Sequence, residues 1–244
     1  MGLDFQKYQV GEPFKSRKNR VFRIRTDSRI QVAKVYPISS SDAARAEFQL
    51  LNKCVESHLT VPKPHELADS TIVMAYVDGS NVADLVDRLL SGERPTHRKD
   101  DVTFHSLARG LAEWLASFHR AFECKLCRGD TILRNFLLSK DTIFGLDFEE
   151  AHEGDPILDL GELCANVLGM RPLFSSLNFE FASDIVNGYW DATGKNRSED
   201  ISESIAIGLE HYAKFREDGG ILQGWAQRFR NEGAVLLEQS VSKI

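Results

Sequence analysis

The feature that most constrains the fold is a polar loop between apolar runs in the middle of the chain. Residues 128–130 read Arg-Gly-Asp, and Asn135 follows Asp130 five residues later. A second carboxylate, Asp147, ends the short apolar run of residues 143–146. Short apolar runs bounded by polar residues are typical of buried strands, so Asp147 is expected at a strand end. The fold must therefore hold these side chains in a tight loop and at a strand end.

Asp130, Asn135 and Asp147 are side chains of the kind that phosphoryl transfer from ATP needs. We expect Asp130 to accept a hydrogen bond from an attacking hydroxyl and to orient it for in-line displacement. Asn135 and Asp147 offer the oxygen ligands that Mg²⁺ prefers, and Asn135 is also expected to steady Asp130. The sequence thus predicts Asp130 and Asn135 as catalytic residues, with Asn135 and Asp147 as metal ligands. The plain alternative is a helix cap at Asp130 and a surface acid at Asp147.

The first third of the chain is predicted to be mainly strands, with one helix. Alternating apolar and polar side chains with many β-branched residues favour paired strands, and a stretch with one apolar helical face lies between them. The strand-like segments are residues 21–25, 29–36, 65–67 and 71–77, and the helix spans residue 43 to about residue 57. We therefore expect residues 1–78 to form a nucleotide-binding lobe.

Lys34 lies inside the second of these strands, and Glu47 lies in the helix that follows. In phosphotransferases a strand lysine binds the α- and β-phosphates when a helix glutamate holds it in place. The sequence therefore predicts that Lys34 and Glu47 bind the nucleotide. Taken alone, Lys34 would be an exposed strand lysine.

The remainder of the chain, residues 79–244, is predicted to be a helical lobe. Apolar residues recur with the helical period of 3.6 along residues 102–122, which is the best helix in the sequence. The other predicted helices are residues 81–90, 157–168, 179–190, 201–215 and 221–237. We expect this lobe to hold the acceptor site and the catalytic loop, which is the segment of residues 128–135.

Composition excludes several classes of protein. The 244 residues carry a formal net charge of -6, whereas a general nucleic-acid binder would usually be basic. We find no apolar run long enough for a transmembrane helix and no signal-peptide pattern at the N-terminus. Four cysteines are too few for a disulfide framework, so a reducing cytoplasm is the simplest expectation.

The motifs resemble the protein-kinase-like fold, in particular its aminoglycoside phosphotransferase and choline kinase branch. The matching residues are Lys34, Glu47, 128–130, Asn135, 147–149 and the Gly-Asp-Pro-Ile-Leu-Asp-Leu segment 154–160. The resemblance covers roughly residues 14–170, and the last segment is its most specific part. It implies an α+β fold with two lobes, a small antiparallel sheet with one helix followed by a mainly helical lobe, and the use of ATP and Mg²⁺.

The resemblance also implies supporting roles for two residues around the catalytic loop. Asp159 corresponds to an aspartate that braces this loop from below. Arg128 stands where the family usually has histidine, at a position that supports the loop by packing and hydrogen bonding. As an isolated residue, Asp159 could equally be an exposed helix acid.

Nucleotide contacts are expected at two further places. The Gly-rich loop of many kinases is absent, and residues 15–20, with Ser16 and several cations, resemble the loop that covers ATP phosphates in the small-molecule branch. A solvated basic turn is the alternative for this loop. The connection after the last strand, with Met74 and Tyr76, is expected to read the adenine edge through main-chain groups.

The acceptor is expected to be a small polar molecule with a hydroxyl group. Only residues 150–153 separate the metal motif 147–149 from the Gly-Asp-Pro segment, which leaves no room for the peptide-binding platform of ordinary protein kinases. Acids such as Glu149, Glu150 and Glu153 would suit a cationic acceptor. Two alternatives stay open: a compact atypical protein kinase or ATPase acting on or within a protein complex, and a pseudokinase scaffold.

Overall fold

The computed structural model describes residues 7–14, 16, 18–26, 29–92, 103–194 and 201–239. The chain forms two compact units. The first contains residues up to Gly79 together with Phe144–Glu149, and the second contains Ser80–Ile143 and the residues from Glu150 onward. The segment Phe144–Glu149 joins the first unit although it follows the catalytic loop in sequence.

The first unit contains a five-stranded antiparallel sheet and one long helix. Its elements are β1 (Gln9–Phe14), β2 (Arg20–Arg25), β3 (Ile30–Val35), α1 (Ser41–Glu56), β4 (Pro64–Ala68) and β5 (Thr71–Ala75). The strands lie in the order β1-β2-β3-β5-β4. Ile24, Ala33 and Val73 form a buried cluster on the sheet. Because side chains alternate along a strand, Lys34 leaves the opposite face from Ala33.

The second unit is mainly helical and has two small sheets. Its elements are β6 (Ser80–Asn81), α2 (Val82–Leu90), α3 (Phe104–Ala121), β7 (Leu126–Cys127), β8 (Phe136–Ser139), β9 (Thr142–Gly145), β10 (His152–Glu153), α4 (Ile157–Leu168), α5 (Ser176–Thr193), α6 (Ser202–Ala213), α7 (Gly219–Glu232) and α8 (Val235–Gln239). One small sheet has the order β6-β8-β9 and the other pairs β10 with β7. The strand β9 continues at Phe144 into the first unit.

Local signals explain where several helices begin and end. Asn81 caps α2, since its side chain accepts a hydrogen bond from the Ala83 amide at 3.0 Å. Thr103 and Ser106 form a capping box at the start of α3. The single helix predicted for residues 221–237 is wrong: α7 ends at Glu232 and Gly233, with a φ of 74°, separates it from α8.

The helix α4 lies at the centre of the second unit. Its residues Leu160, Leu163, Cys164 and Val167 are fully buried and form one apolar face at helical spacing. The predicted α+β fold class is confirmed by the five-stranded sheet and the helical second unit. Among the described residues, no helix is long and apolar enough to cross a membrane.

The helices α4 and α6 approach closely at Gly161, which gives the first prediction. A Cβ atom at Gly161 would lie 2.4 Å from the main-chain carbon of Ser204, so Gly161→Ala forces the two helices apart. We expect it to lower the free energy of unfolding by about 1–3 kcal/mol in urea denaturation. Gly224→Ala on α7 is the matched control, since nothing lies within 4 Å of the added carbon and alanine favours the helix by about 1 kcal/mol. Equal stability of the two variants would contradict the close packing.

Candidate active site

In the first unit, Lys34 lies at the centre of a cluster of carboxylates. Its ammonium donates to Glu47 of α1 at 2.7 Å and to Asp147, which follows β9, at 2.6 Å. A third carboxylate, that of Glu149, lies 3.7 Å from the same nitrogen. Lys34 and Glu47 are buried, whereas the side chain of Asp147 is 39% exposed. The structure thus brings together three of the residues predicted from the sequence and adds Glu149.

The charges in this cluster shift the pKa values of Lys34 and Glu47. Burial would lower the pKa of Lys34, but the carboxylates of Glu47 and Asp147 outweigh it and raise that pKa above its ordinary value. Burial raises the pKa of Glu47, and the carboxylate of Asp147 adds to this although Lys34 opposes it. Among the described residues, the ammonium of Lys34 thus faces three carboxylates, those of Glu47, Asp147 and Glu149.

The donor set of this cluster fits a hard divalent cation. Oxygen atoms of Glu47, Asp147 and Glu149 lie within 4.8 Å of one another. Carboxylate oxygens are the ligands that Mg²⁺ prefers. Asp147 is the most exposed of the three and is therefore the most accessible ligand.

Glu149 also binds the segment that leads into β2. The Asn19 side-chain amide donates to its carboxylate at 2.5 Å, and the Lys18 ammonium lies 3.6 Å away. Glu149 therefore belongs to the Lys34 cluster, and its predicted contact with a cationic acceptor stays a prediction. Asn19 belongs to the predicted loop 15–20, but its pairing with Glu149 could not be predicted, because the two residues are 130 positions apart in the chain.

The other predicted nucleotide contacts are less defined. Ser16 is exposed, and Lys15 and Arg17 of the same loop lie outside the described residues. Met74 pairs with Val32 within the sheet, and β5 ends at Ala75, so Tyr76 lies just beyond the strand. The Tyr76 hydroxyl accepts a hydrogen bond from Arg23 at 2.9 Å. The roles of Ser16, Met74 and Tyr76 stay predictions.

In the second unit, Asp130 and Asn135 meet in a tight loop. The Asn135 side-chain amide donates to the main-chain oxygen of Asp130 at 2.9 Å and to its carboxylate at 3.0 Å. Asp130 is exposed, while Asn135 is buried behind it. Gly129 has a φ of 65°, and a Cβ atom there would lie 2.4 Å from the Glu150 carbonyl oxygen, so only glycine fits before Asp130.

Asp159 of α4 lies beneath this loop and is 2% exposed. Its carboxylate accepts hydrogen bonds from the amides of Arg128 at 2.5 Å and Gly129 at 3.0 Å, and from the Thr131 hydroxyl at 2.9 Å. A fourth contact joins it to His119 at 2.9 Å. Burial would raise the pKa of Asp159, but these hydrogen bonds together lower it below its ordinary value.

Arg128 supports the loop from its carbonyl side. This fully buried side chain donates to the main-chain oxygens of Gly129 at 3.1 Å and Asp130 at 2.7 Å. Its guanidinium also lies 5.0 Å from the centre of the Phe136 ring, which is within cation–π range. With a third hydrogen bond to the main-chain oxygen of Asn135 at 3.4 Å, this arginine makes more hydrogen bonds to the loop than the two N–H donors of an imidazole ring allow.

Two further residues of α4, neither of them part of a recognised sequence motif, contact the loop. The Glu162 carboxylate accepts from the Thr131 amide at 2.7 Å, and the Asn166 side-chain oxygen accepts from the Leu133 amide at 3.0 Å. Burial, with the nearby carboxylates of Asp130 and Asp159, raises the pKa of Glu162 to about 6. The spacing 159, 162 and 166 places the three polar residues on one helix face, a signal that the sequence does contain.

The raised pKa of Glu162 predicts how stability depends on pH. A folded-state pKa of about 6, above the ordinary glutamate value of 4.5, means that folding favours the protonated form. The contribution of Glu162 therefore makes the wild type more stable as pH falls from 7.5 toward 4.5. We expect Glu162→Gln, which is always neutral, to raise the free energy of unfolding at pH 7.5 by about 1–2 kcal/mol. Urea denaturation at pH 7.5 and pH 4.5 checks this, and a gain that persists at pH 4.5 would contradict it.

Comparison with known proteins identifies the family. The sequence matches the RIO domain over residues 8–155, more than half of the chain. No curated protein matches the sequence at a significant level.

Three solved structures share the fold at low sequence identity. A protein from Ralstonia eutropha JMP134 described as an aminoglycoside phosphotransferase matches with a TM-score of 0.61 and 13% identity, over 96% of this chain and 93% of its own. An amicoumacin kinase in complex with AMP-PNP and Ca²⁺ gives 0.59 and 13%, over 98% and 90%. WaaP in complex with acyl carrier protein gives 0.54 and 16%, over 93% and 90%.

These matches confirm the predicted protein-kinase-like fold. The sequence motifs had not singled out the RIO domain among the compact relatives of that fold. The chain belongs to the RIO-domain family of protein-kinase-like phosphotransferases.

Proposed function

We propose that this kinase transfers the γ-phosphoryl group of ATP to a hydroxyl group of a small polar molecule. The observation that carries the choice of acceptor is the short link between Glu149 and α4. His152 and Glu153 pair directly with Cys127 and Leu126, and α4 begins at Ile157. The described chain thus has no extended segment here on which a peptide could lie.

The residues of the two units supply different parts of the reaction. Lys34, held by Glu47, binds phosphate oxygens of ATP, and Asp147 and Asn135 are the residues that would hold Mg²⁺. Bound Mg²⁺ would neutralise charge on the phosphates. Asp130 orients the acceptor hydroxyl and takes its proton as the oxygen forms a bond to the γ-phosphorus and the bond to the ADP oxygen breaks.

A protein acceptor is the second candidate, and the match to the RIO domain favours it. The same catalytic residues would then phosphorylate a serine or threonine hydroxyl of the protein itself or of a partner. A pseudokinase scaffold ranks below both, because Lys34, Asp130, Asn135 and Asp147 are all present.

We further propose a cytoplasmic location and no general nucleic-acid or membrane partner. No disulfide joins any of Cys54, Cys124, Cys127 and Cys164, which suits a reducing compartment. The net charge of -6 suits neither a nucleic-acid surface nor an anionic membrane.

The Asp130 assignment is tested by ATP consumption with a panel of hydroxylated metabolites. We expect at least one metabolite to stimulate ADP release, and Asp130→Asn to lower that rate by about 10²–10⁴-fold because the hydroxyl loses its proton acceptor. Asp141→Asn is the matched control, since Asp141 also has a left-handed main chain (φ 64°) and an exposed side chain. Full activity in Asp130→Asn would refute the assignment. Phosphate on protein with no response to any metabolite would instead support the second candidate.

The metal role of Asp147 is tested by titration with Mg²⁺. Asp147→Asn replaces the accessible carboxylate by a weaker neutral ligand, so we expect the Mg²⁺ concentration for half-maximal rate to rise by about tenfold or more. The control is Asp184→Asn on α5, outside the Lys34 cluster. An unchanged Mg²⁺ dependence in Asp147→Asn would show that other residues hold the metal.

A further inference from the structure

The helix α4 presents three hydrogen-bond acceptors to the main chain of the catalytic loop. Asp159 accepts from the amides of Arg128 and Gly129. Glu162 accepts from the Thr131 amide at 2.7 Å, and Asn166 from the Leu133 amide at 3.0 Å. Acceptors at 159, 162 and 166 therefore follow the loop along one face of a single helix.

The main chain is held by hydrogen bonds on both sides of Asp130. Asp130 has a φ of 42°, in the left-handed region that is unfavourable for a residue with a side chain. Arg128 holds the carbonyl oxygens of Gly129 and Asp130, while Glu162 holds the next amide along the chain. The unfavourable main-chain conformation persists because its neighbours are fixed on both sides.

We propose that Glu162 and Asn166 are positioning residues that fix the orientation of Asp130 through the amides of Thr131 and Leu133. The proposal rests on the proposed function of Asp130. Neither residue is assigned a contact with ATP, metal or acceptor. Their effect reaches the reaction through the main chain, and a small displacement of a catalytic group can cost about a hundredfold in rate.

The role assigned to Glu162 is that of an acceptor, and its charge is not required. Asn166 accepts the hydrogen bond of the Leu133 amide with a neutral amide oxygen. The charged groups near Glu162 are Asp130 and Arg128 of the loop and Asp159 of its own helix. From α6, the Tyr212 hydroxyl donates to the main-chain oxygen of Glu162 at 3.4 Å. Glutamine keeps the acceptor and removes only the charge.

Two pairs of variants in the full chain test the proposal. We expect Glu162→Ala and Asn166→Ala to lower kcat by about 10–100-fold with the KM for ATP changed less than about twofold. Glu162→Gln and Asn166→Asp retain an acceptor oxygen and are expected to restore kcat to within about threefold of wild type. Glu113→Ala, an exposed change on α3, is the control for loss of a glutamate.

A structural measurement separates this proposal from the proposed function. Amide hydrogen exchange at Thr131, followed by NMR, should be at least tenfold faster in Glu162→Ala than in wild type and close to wild type in Glu162→Gln. If wild type transfers no phosphate while this pattern is seen, the proposed function fails and the positioning contact stands. The positioning proposal is overturned if Glu162→Ala keeps the kcat of Glu113→Ala, or if Glu162→Gln is as slow as Glu162→Ala.

Discussion

The geometry of the catalytic loop depends on the buried carboxylate of Asp159. An isolated charge in an apolar core is strongly unfavourable, so the fold must surround it with donors. It does so with two loop amides, the Thr131 hydroxyl and His119, and His119 is held in turn by the Tyr189 hydroxyl at 2.8 Å. The loop and α3 thus meet at this carboxylate of α4, and α5 is joined to them through Tyr189 and His119. The same hydrogen bonds that stabilise the buried charge of Asp159 also fix the main chain of the loop.

The first unit also has a buried charge surrounded by hydrogen-bonding partners, but here the charge is positive. The ammonium of Lys34 is buried and is satisfied by Glu47 and Asp147. Among the described residues, three carboxylates surround this ammonium, because Glu149 is also close and binds Asn19 and Lys18 as well. Such a set of carboxylates fits the divalent cation that the proposed function requires.

The parts of this site that the sequence revealed are those with local patterns. Alternation in β2 and β3, the helical period of α3 and α4, and the short spacing of Asp130 and Asn135 all operate within a few residues. The sequence did not reveal Asn19 as the partner of Glu149 or Glu162 as the partner of Thr131, because those pairs are 130 and 31 residues apart. The substitution at Arg128 could be recognised but not explained, since its role is set by the carbonyl oxygens that the folded loop turns toward it. Gly233 carried a local helix-stop signal that the helical pattern around it obscured.

The claim that matters most is that phosphate leaves ATP for the hydroxyl of a small molecule. The direct measurement is to incubate the protein with Mg²⁺, ATP labelled in its γ-phosphate and a small-molecule extract, and then to divide the label between low-molecular-weight and protein fractions. The proposed function predicts a labelled phosphate monoester in the low-molecular-weight fraction that is absent with Asp130→Asn. Label that stays on ATP, or that is found in the protein fraction alone, would contradict the account.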